Sequence, residues 1–129
     1  MPVGPITVGP AKLRFSYHGC SDIDGLLPFY RDDQGMRVAW DKRAFGARVL
    51  AFEARGGVQL LLADHRPPGS VLPVYEVAHL LDGTMDLQAM GYTPQGDVFE
   101  IPNGPCRRLK DPNGKEIAIF EDVRPDPFG

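Results

Sequence analysis

The side chains that could ligate a metal ion or act as catalytic groups are few and widely spaced in this sequence. The three histidines are His18 in a strand-like segment, His65 in a proline-rich loop and His79 at a predicted helix start. Because His18 alternates with the apolar residues of its strand, it should face away from them. This spacing favours three separate, structurally satisfied or surface histidines over a convergent metal site.

Two carboxylates and two thiols complete the candidates for chemistry. Glu76 lies near the end of one predicted strand and Glu121 lies on the last one. We expect Glu121 to pair with a cation such as Arg124 rather than to act as a general base. Cys20 and Cys106 are far apart and outside any C-x-x-C spacing, and no base has a recognisable spacing to Cys20. Buried free thiols are therefore expected at both positions.

Composition narrows the class of protein. The 129 residues suit a single domain over 1–129, and 43% hydrophobic with 24% charged residues is typical of a soluble globular protein. The net charge of −3 and the scattered basic residues, apart from Arg107-Arg108-Leu109-Lys110, argue against a nucleic-acid partner. The absence of a long apolar run or signal-peptide pattern favours a cytoplasmic protein without a membrane partner.

The first module is predicted at about residues 11–64. Leu13, Phe15 and Tyr17 alternate with polar residues, which indicates a strand ending near Cys20. Ser21 to Asp24 supply helix-capping side chains before a short amphipathic helix that closes before Gly35. Three more strands are predicted at residues 36–40, 47–54 and 58–63, with a charged loop from Trp40 to Phe45.

The second module is predicted at about residues 71–123 and repeats the same order. A strand at 71–77 precedes a helix at 79–90 that Gly91 terminates, and strands follow at 96–101, 106–109 and 116–121. Asn103-Gly104 and Asn113-Gly114 are turn dipeptides between these strands. Proline and glycine near both ends, residues 1–10 and 124–129, predict irregular termini.

These modules resemble the vicinal oxygen chelate superfamily, which includes glyoxalase I, extradiol dioxygenases, and fosfomycin- and bleomycin-resistance proteins. The residues that carry the resemblance are Ser21-Asp22-Ile23-Asp24, Phe29-Tyr30, Gly35-Met36-Arg37-Val38, Tyr75-Glu76-Val77, Ile101-Pro102-Asn103-Gly104-Pro105 and Asp111-Pro112-Asn113-Gly114-Lys115-Glu116-Ile117. The resemblance implies an α+β fold in which two βαβββ modules form a cup-shaped mixed sheet around a ligand-binding cleft. It also implies a homodimer.

In metal-dependent members of the superfamily, the first and last strands of each module carry His, Gln or Glu ligands. The corresponding positions here are Phe15, Leu61, Leu72 and Ala118, and the two modules agree in spacing. None of these side chains has an oxygen or nitrogen donor for a divalent metal. A slip of one residue along the two first strands would turn other residues inward, without a full ligand set: Arg14, Ser16, Pro73 or Tyr75. We therefore expect no cofactor, with a divalent metal as the alternative.

Strand alternation and the charged loop together predict the lining of the cup. The predicted ligand-binding residues are Phe15, Tyr17, Arg37, Trp40, Arg43, Phe45, Leu61, Leu72, Val74 and Ala118. Such an apolar, aromatic-walled pocket suits a flat or hydrophobic organic molecule, and Trp40 is the residue most expected to touch it. The alternative is that these aromatic residues are plain core.

The sequence is compatible with three functions. The apolar ligand positions favour a metal-free protein of the bleomycin-resistance type, which sequesters a small hydrophobic or aromatic molecule. The alternative is a lyase, isomerase or dioxygenase of the same superfamily that uses a metal or side-chain acid-base chemistry. An interaction module without a ligand-sized cavity is the third possibility.

Overall fold

The computed structural model describes residues 12–44 and 46–124. The predicted irregular ends lie outside these residues, apart from Arg124. The described chain contains two α-helices and eight β-strands, namely β1 Lys12–Gly19, α1 Ile23–Pro28, β2 Arg37–Ala44, β3 Ala47–Glu53, β4 Gln59–Ala63, β5 Val71–Val77, α2 Leu80–Ala89, β6 Thr93–Ile101, β7 Gly104–Lys110 and β8 Glu116–Glu121. None of the helices in this part of the chain has the length and hydropathy needed to cross a bilayer.

The order strand, helix, strand, strand, strand occurs twice, which confirms the predicted α+β class and the two βαβββ modules. The chain forms two compact units: the first is Arg14–Leu72, and the second begins at Pro73. In the first unit the strand order is β2-β3-β4-β1, and in the second it is β5-β8-β7-β6. The pairs β1–β4 and β5–β8 are parallel, and the other pairs within each unit are antiparallel.

In the first unit, α1 covers one face of the sheet. Ile23 of α1 belongs to a buried cluster with Cys20, Leu50, Phe52 and Leu62. Because successive strand residues point to opposite faces, Ala51 and Leu61 point away from α1. The first unit therefore has a helix-covered face and an opposite face.

Strand β2 is longer than the sequence predicts. The segment interpreted as a charged loop after Trp40 continues as strand to Ala44, and its residues pair with β3 from Trp40↔Ala51 to Ala44↔Ala47. Asp41, Lys42 and Arg43 follow one another here, and β2 tolerates these charges because it stands at the end of the first unit's β2-β3-β4-β1 order. Asp41 is neutralised by an arginine.

The arginine in question, Arg48, ties α1 to the sheet. Its side chain is 10% exposed, and its Nε and Nη2 donate to the two carboxylate oxygens of Asp41 at 3.0 and 2.9 Å. Nη1 donates to Asp24 of α1 at 2.8 Å. These bonds hold the guanidinium charged and keep the pKa of Asp41 below its usual range, mainly through the hydrogen bond from Arg48.

Helix α1 is short for local reasons. The Asp22 carboxylate accepts a hydrogen bond from the Gly25 N–H at 3.0 Å and caps the helix. Pro28 has no N–H with which to continue the pattern, and the chain passes into a π-turn at Phe29–Asp33. The segment predicted as a single helix is thus a short α-helix followed by a π-helical turn.

In the second unit, α2 covers one sheet face through Leu80 and Leu87, which pack with Val77, Leu109, Ile117 and Ile119. As predicted, α2 ends before Gly91, which has a φ of +94°. Gly104 allows a close approach between strands, since a Cβ there would lie 2.1 Å from the Glu121 carbonyl oxygen.

Replacing Asp41 with Asn should destabilise the protein by about 1 kcal/mol, because the buried Arg48 guanidinium loses the carboxylate that accepts two of its hydrogen bonds. The loss is limited because the Asp41 side chain is 40% exposed and solvent screens its charge. Asp24→Asn is the matched control and should cost less, since Asp24 makes one bond and its side chain is 73% exposed. Urea unfolding of both variants measures the difference. Equal losses would contradict the assigned role of Asp41.

The same comparison has a pH dependence. The folded-state pKa of Asp41 is depressed, so its contribution to stability is present above the unfolded pKa of about 3.9 and is lost as the pH falls through the folded pKa. The gap between the wild type and Asp41→Asn should therefore be constant above about pH 5 and shrink below about pH 4.

Candidate functional site

The candidate site on the first unit is the sheet face turned away from α1. Register places Trp40, Ala51, Leu61 and Tyr17 in one row across β2, β3, β4 and β1. Tyr17 and Trp40 are half-buried, while Ala51 and Leu61 are 0% exposed. The two aromatic side chains therefore form the accessible part of the row, and the aliphatic ones form its floor.

The position of Trp40 differs from the prediction that it lies in a loop at the rim of the pocket. It lies within β2, is half-buried, and its indole Nε1 donates to the Gln59 Oε1 at 3.2 Å. Gln59 pairs with Phe15, so it lies on the same face in the neighbouring row. The hydrogen bond holds the indole against the sheet, and Gln59 is a polar residue of this face that the sequence analysis missed. Its alternation with Leu61 was the available signal.

Five of the predicted ligand-binding residues are almost fully buried. Their exposures are 5% or less: Phe15, Leu61, Leu72, Val74 and Ala118. Register and the two helix-side clusters place all five on the faces away from α1 and α2. They are core residues beneath the accessible surface, as in the alternative considered from the sequence.

The three remaining predicted residues differ in placement. Arg37 is exposed and its Nε donates to Glu53 at 2.9 Å. Arg43 is exposed and follows Asp41 by two residues, so it lies on the α1-facing side, opposite Trp40. Phe45 lies outside the described residues. The structure therefore does not bring Arg43 to Trp40, because strand alternation replaces the expected loop.

On the second unit, the face turned away from α2 carries polar residues that the sequence analysis did not single out. Arg108 pairs in register with Ala118, and its Nη1 donates to Glu116 Oε2 at 2.9 Å. Glu76 lies on the same face and pairs in register with Phe120. In the sequence, Arg108 is one member of the basic run at 107–110. Strand alternation places the residues of this run on two opposite faces of the sheet, which the composition of the run does not indicate.

The residues at the four positions where the sequence resemblance implies metal ligands do not fit a divalent metal ion. All four are hydrocarbon side chains, and they are buried among other apolar residues. In residues 12–44 and 46–124, no group of three or more His, Cys, Asp or Glu side chains could hold a metal ion. His18 instead bonds to Ser16, with 2.9 Å between its Nε2 and the serine Oγ.

A cavity of about 560 Å³ lies beside α1, where β1 meets the chain segment 68–71. His18, Cys20, Tyr30 and Ser70 are among its lining residues. Burial lowers the pKa of His18, and burial together with Asp64 and Asp22 raises the pKa of the Cys20 thiol. Burial also raises the pKa of Cys106, to about 12. Both cysteines are free and buried, as predicted, and these protonated thiols are poor nucleophiles.

The expected ion pair between Glu121 and Arg124 is wrong, because each side chain has a different partner. Its Oε1 accepts from the Leu80 N–H at 2.9 Å, at the start of α2, where His79 provides no side-chain cap. The Arg124 Nη2 instead donates to Glu100 at 2.6 Å. A helix N-terminus has unsatisfied N–H groups, which explains why the carboxylate takes this role.

Solved structures of the same fold cover most of this chain. A hypothetical protein from Bacillus halodurans C-125 has a TM-score of 0.77 at 12% identity, over 89% of this chain and 96% of that chain. Methylmalonyl-CoA epimerase from Mycobacterium tuberculosis has a TM-score of 0.73 at 16% identity, over 88% and 89% of the two chains. No protein-family model and no curated protein matches the sequence.

A third solved structure contains a bound ligand. A Streptomyces coelicolor methylmalonyl-CoA epimerase variant in complex with 2-nitronate-propionyl-CoA has a TM-score of 0.69 at 15% identity, over 88% of this chain and 98% of that chain. The element order and these likenesses show that the chain has the vicinal oxygen chelate, or glyoxalase/bleomycin-resistance/dioxygenase, fold. The resemblance seen in the sequence is confirmed at this level.

Glu121→Ala should destabilise the protein by about 1 kcal/mol, because the Leu80 N–H loses its acceptor. Glu100→Ala is the control and should cost well under that, since it removes an exposed ion pair. Thermal unfolding followed by circular dichroism measures both. A cost for Glu100→Ala as large as that for Glu121→Ala would show that the cap does not stabilise α2.

Proposed function

We propose that this protein binds a small hydrophobic or aromatic organic molecule, without a metal ion, on the first unit's sheet face. The observation that carries the proposal is the pair of half-buried aromatic side chains, Tyr17 and Trp40, in one row of that face. Aromatic rings offer large contact areas at low entropic cost, and the Gln59 amide beside Trp40 offers a polar contact.

The chemistry of the buried positions supports binding without metal-assisted turnover. Phe15 and Leu61 provide a rigid apolar floor on this face and no ligands for an ion. Metal chemistry in this fold uses the ion to bind substrate oxygens, and none of the four hydrocarbon side chains can hold it there. Apolar contact and stacking are the interactions that remain.

A second candidate is an enzyme that moves a proton by side-chain acid-base chemistry. It is supported by the methylmalonyl-CoA epimerases of the same fold and by half-buried Glu76 and Glu116 on the second unit's sheet face. A carboxylate could remove a proton next to a thioester carbonyl if it were placed against one.

We also propose that the protein forms a homodimer. This proposal rests on the sequence resemblance alone.

Two measurements on untagged protein separate these candidates. Elemental analysis after dialysis should find far less than one Mn, Fe, Co, Ni or Zn per chain, because the ligand positions are apolar. Incubation with methylmalonyl-CoA in D₂O should show no exchange of the α-proton by NMR. Stoichiometric metal would contradict metal-free binding, and rapid exchange would favour the enzyme that uses side-chain acid-base chemistry.

Trp40→Phe should weaken binding of a flat neutral probe, 4-nitroanisole, by about tenfold, through loss of ring area and of the hydrogen bond to Gln59. Isothermal titration calorimetry measures this affinity. In the wild type, quenching of the fluorescence of Trp40, the single tryptophan, should follow the same binding curve.

Tyr92→Phe is the matched control, since Tyr92 is a partly buried aromatic residue packed beside the α2 core. It should leave the affinity unchanged. Trp40→Ala is a less direct test, because Trp40 is half-buried and truncation would also cost packing energy. A probe that binds the wild type and Trp40→Phe equally would place the site elsewhere.

A further inference from the structure

Arg108 occupies a distinctive position on the second unit. It pairs in register with Ala118, whereas its neighbours Arg107 and Leu109 pair with Ile119 and Ile117 of the α2-facing core. Arg108 therefore lies on the face away from α2, directly beside a position where the superfamily resemblance would put a metal ligand. A fixed positive charge stands next to a site that has no donor for a metal.

The guanidinium of Arg108 has more N–H donors than the one that binds Glu116. The side chain is 39% exposed, and Glu116, whose side chain is 22% exposed, accepts one hydrogen bond from Nη1 at 2.9 Å. A guanidinium has five N–H groups in a planar fork, and this fork matches the two oxygens of a carboxylate. Within the described chain, Arg108 can thus receive a ligand carboxylate beside Glu116.

Strand β6 leaves space at this guanidinium. The β6–β7 register shifts between Gln95 and Phe99, and Gly96 within the shift has a φ of +75°. A Cβ at Gly96 would lie 4.0 Å from Arg108 Nη2 and would meet no other atom within that distance, so the space beside this nitrogen is open on the side of Gly96. Gln95, which pairs in register with Arg108, donates its side-chain amide to the Thr93 carbonyl oxygen. Bulges of this kind are frequent beside binding sites.

An aromatic surface lies next to the same charge. Phe99 is 40% exposed and pairs with Cys106, which is two residues from Arg108 on β7. Phe99 and Arg108 therefore share one face. A molecule with a ring and a carboxylate could contact both at once, the ring on Phe99 and the carboxylate on the guanidinium.

We propose that Arg108 binds the carboxylate of a small aromatic acid whose ring packs on Phe99. The site goes beyond the proposed function, because it belongs to the second unit and would stand if the first unit's face bound nothing. Glu76, Lys110 and Glu116 share the face, so its charges nearly cancel. Recognition then depends on the short-range hydrogen bonds of the guanidinium rather than on long-range electrostatic attraction.

The competing explanation is an ordinary cross-strand ion pair that stabilises β7 and β8. The two explanations differ in what happens when each partner is removed. For a structural pair, loss of either residue should lower stability and leave ligand binding unchanged. For a binding site, loss of Arg108 should abolish recognition, whereas loss of Glu116 should release the guanidinium and strengthen it.

The test uses benzoate and its neutral analogue benzamide, titrated into ¹⁵N-labelled protein by NMR. Benzoate should bind about tenfold more tightly than benzamide and shift the Arg108 Nε–Hε signal. Arg108→Met should bring the two affinities within about twofold, and Glu116→Gln should tighten benzoate binding severalfold. Arg107→Met, on the opposite face of the same strand, should keep the preference.

Four results would overturn the proposal, and each can be read without the others. They are equal binding of benzoate and benzamide to the wild type, a preference that survives Arg108→Met, a benzoate affinity that falls in Glu116→Gln, and inorganic phosphate binding as tightly as benzoate. The last would reveal a general anion site without the aromatic contact. None of them bears on 4-nitroanisole binding near Trp40, so the proposed function is tested separately.

Discussion

The structure of each unit depends on one constraint, which is that its helix occupies one face of its sheet. Leu62 and Phe52 in the first unit and Ile117 and Ile119 in the second are buried against these helices. Every strand residue one position away then points to the other face. This alternation decides which side chains can serve a ligand and explains why adjacent arginines, such as Arg107 and Arg108, have different surroundings.

The four positions at which the sequence resemblance implies metal ligands contribute packing here. A buried Phe or Leu side chain contributes about 1.5–3 kcal/mol relative to exposure, whereas a carboxylate or imidazole in the same surroundings would need a partner. Phe15 and Leu61 thus stabilise the sheet. Polar and aromatic groups lie in the same rows beside them, where the side chains of Tyr17, Gln59 and Trp40 are half-buried.

The elements were predictable because their signals are local. Alternation and turn residues located β5 and β8 to the residue, and the capping role of Gly91 was clear. The prediction failed at residues 41–44, where charged residues suggested a loop. Asp41 is compatible with a strand because the guanidinium of Arg48, on the neighbouring strand β3, donates two hydrogen bonds to its carboxylate. A charge pattern cannot show that its partner lies on another element.

The sequence by itself determined the α+β class, the repeated module and the apolar character of the four ligand positions, because each depends on neighbouring residues. Tertiary structure alone decided that Glu121 caps α2 instead of pairing with Arg124, that Arg43 lies opposite Trp40, and that a bulge at Gly96 leaves space at Arg108. The physical reason is that partner choice, strand register and burial depend on residues far apart in the chain, and a slip of one position would reverse every face.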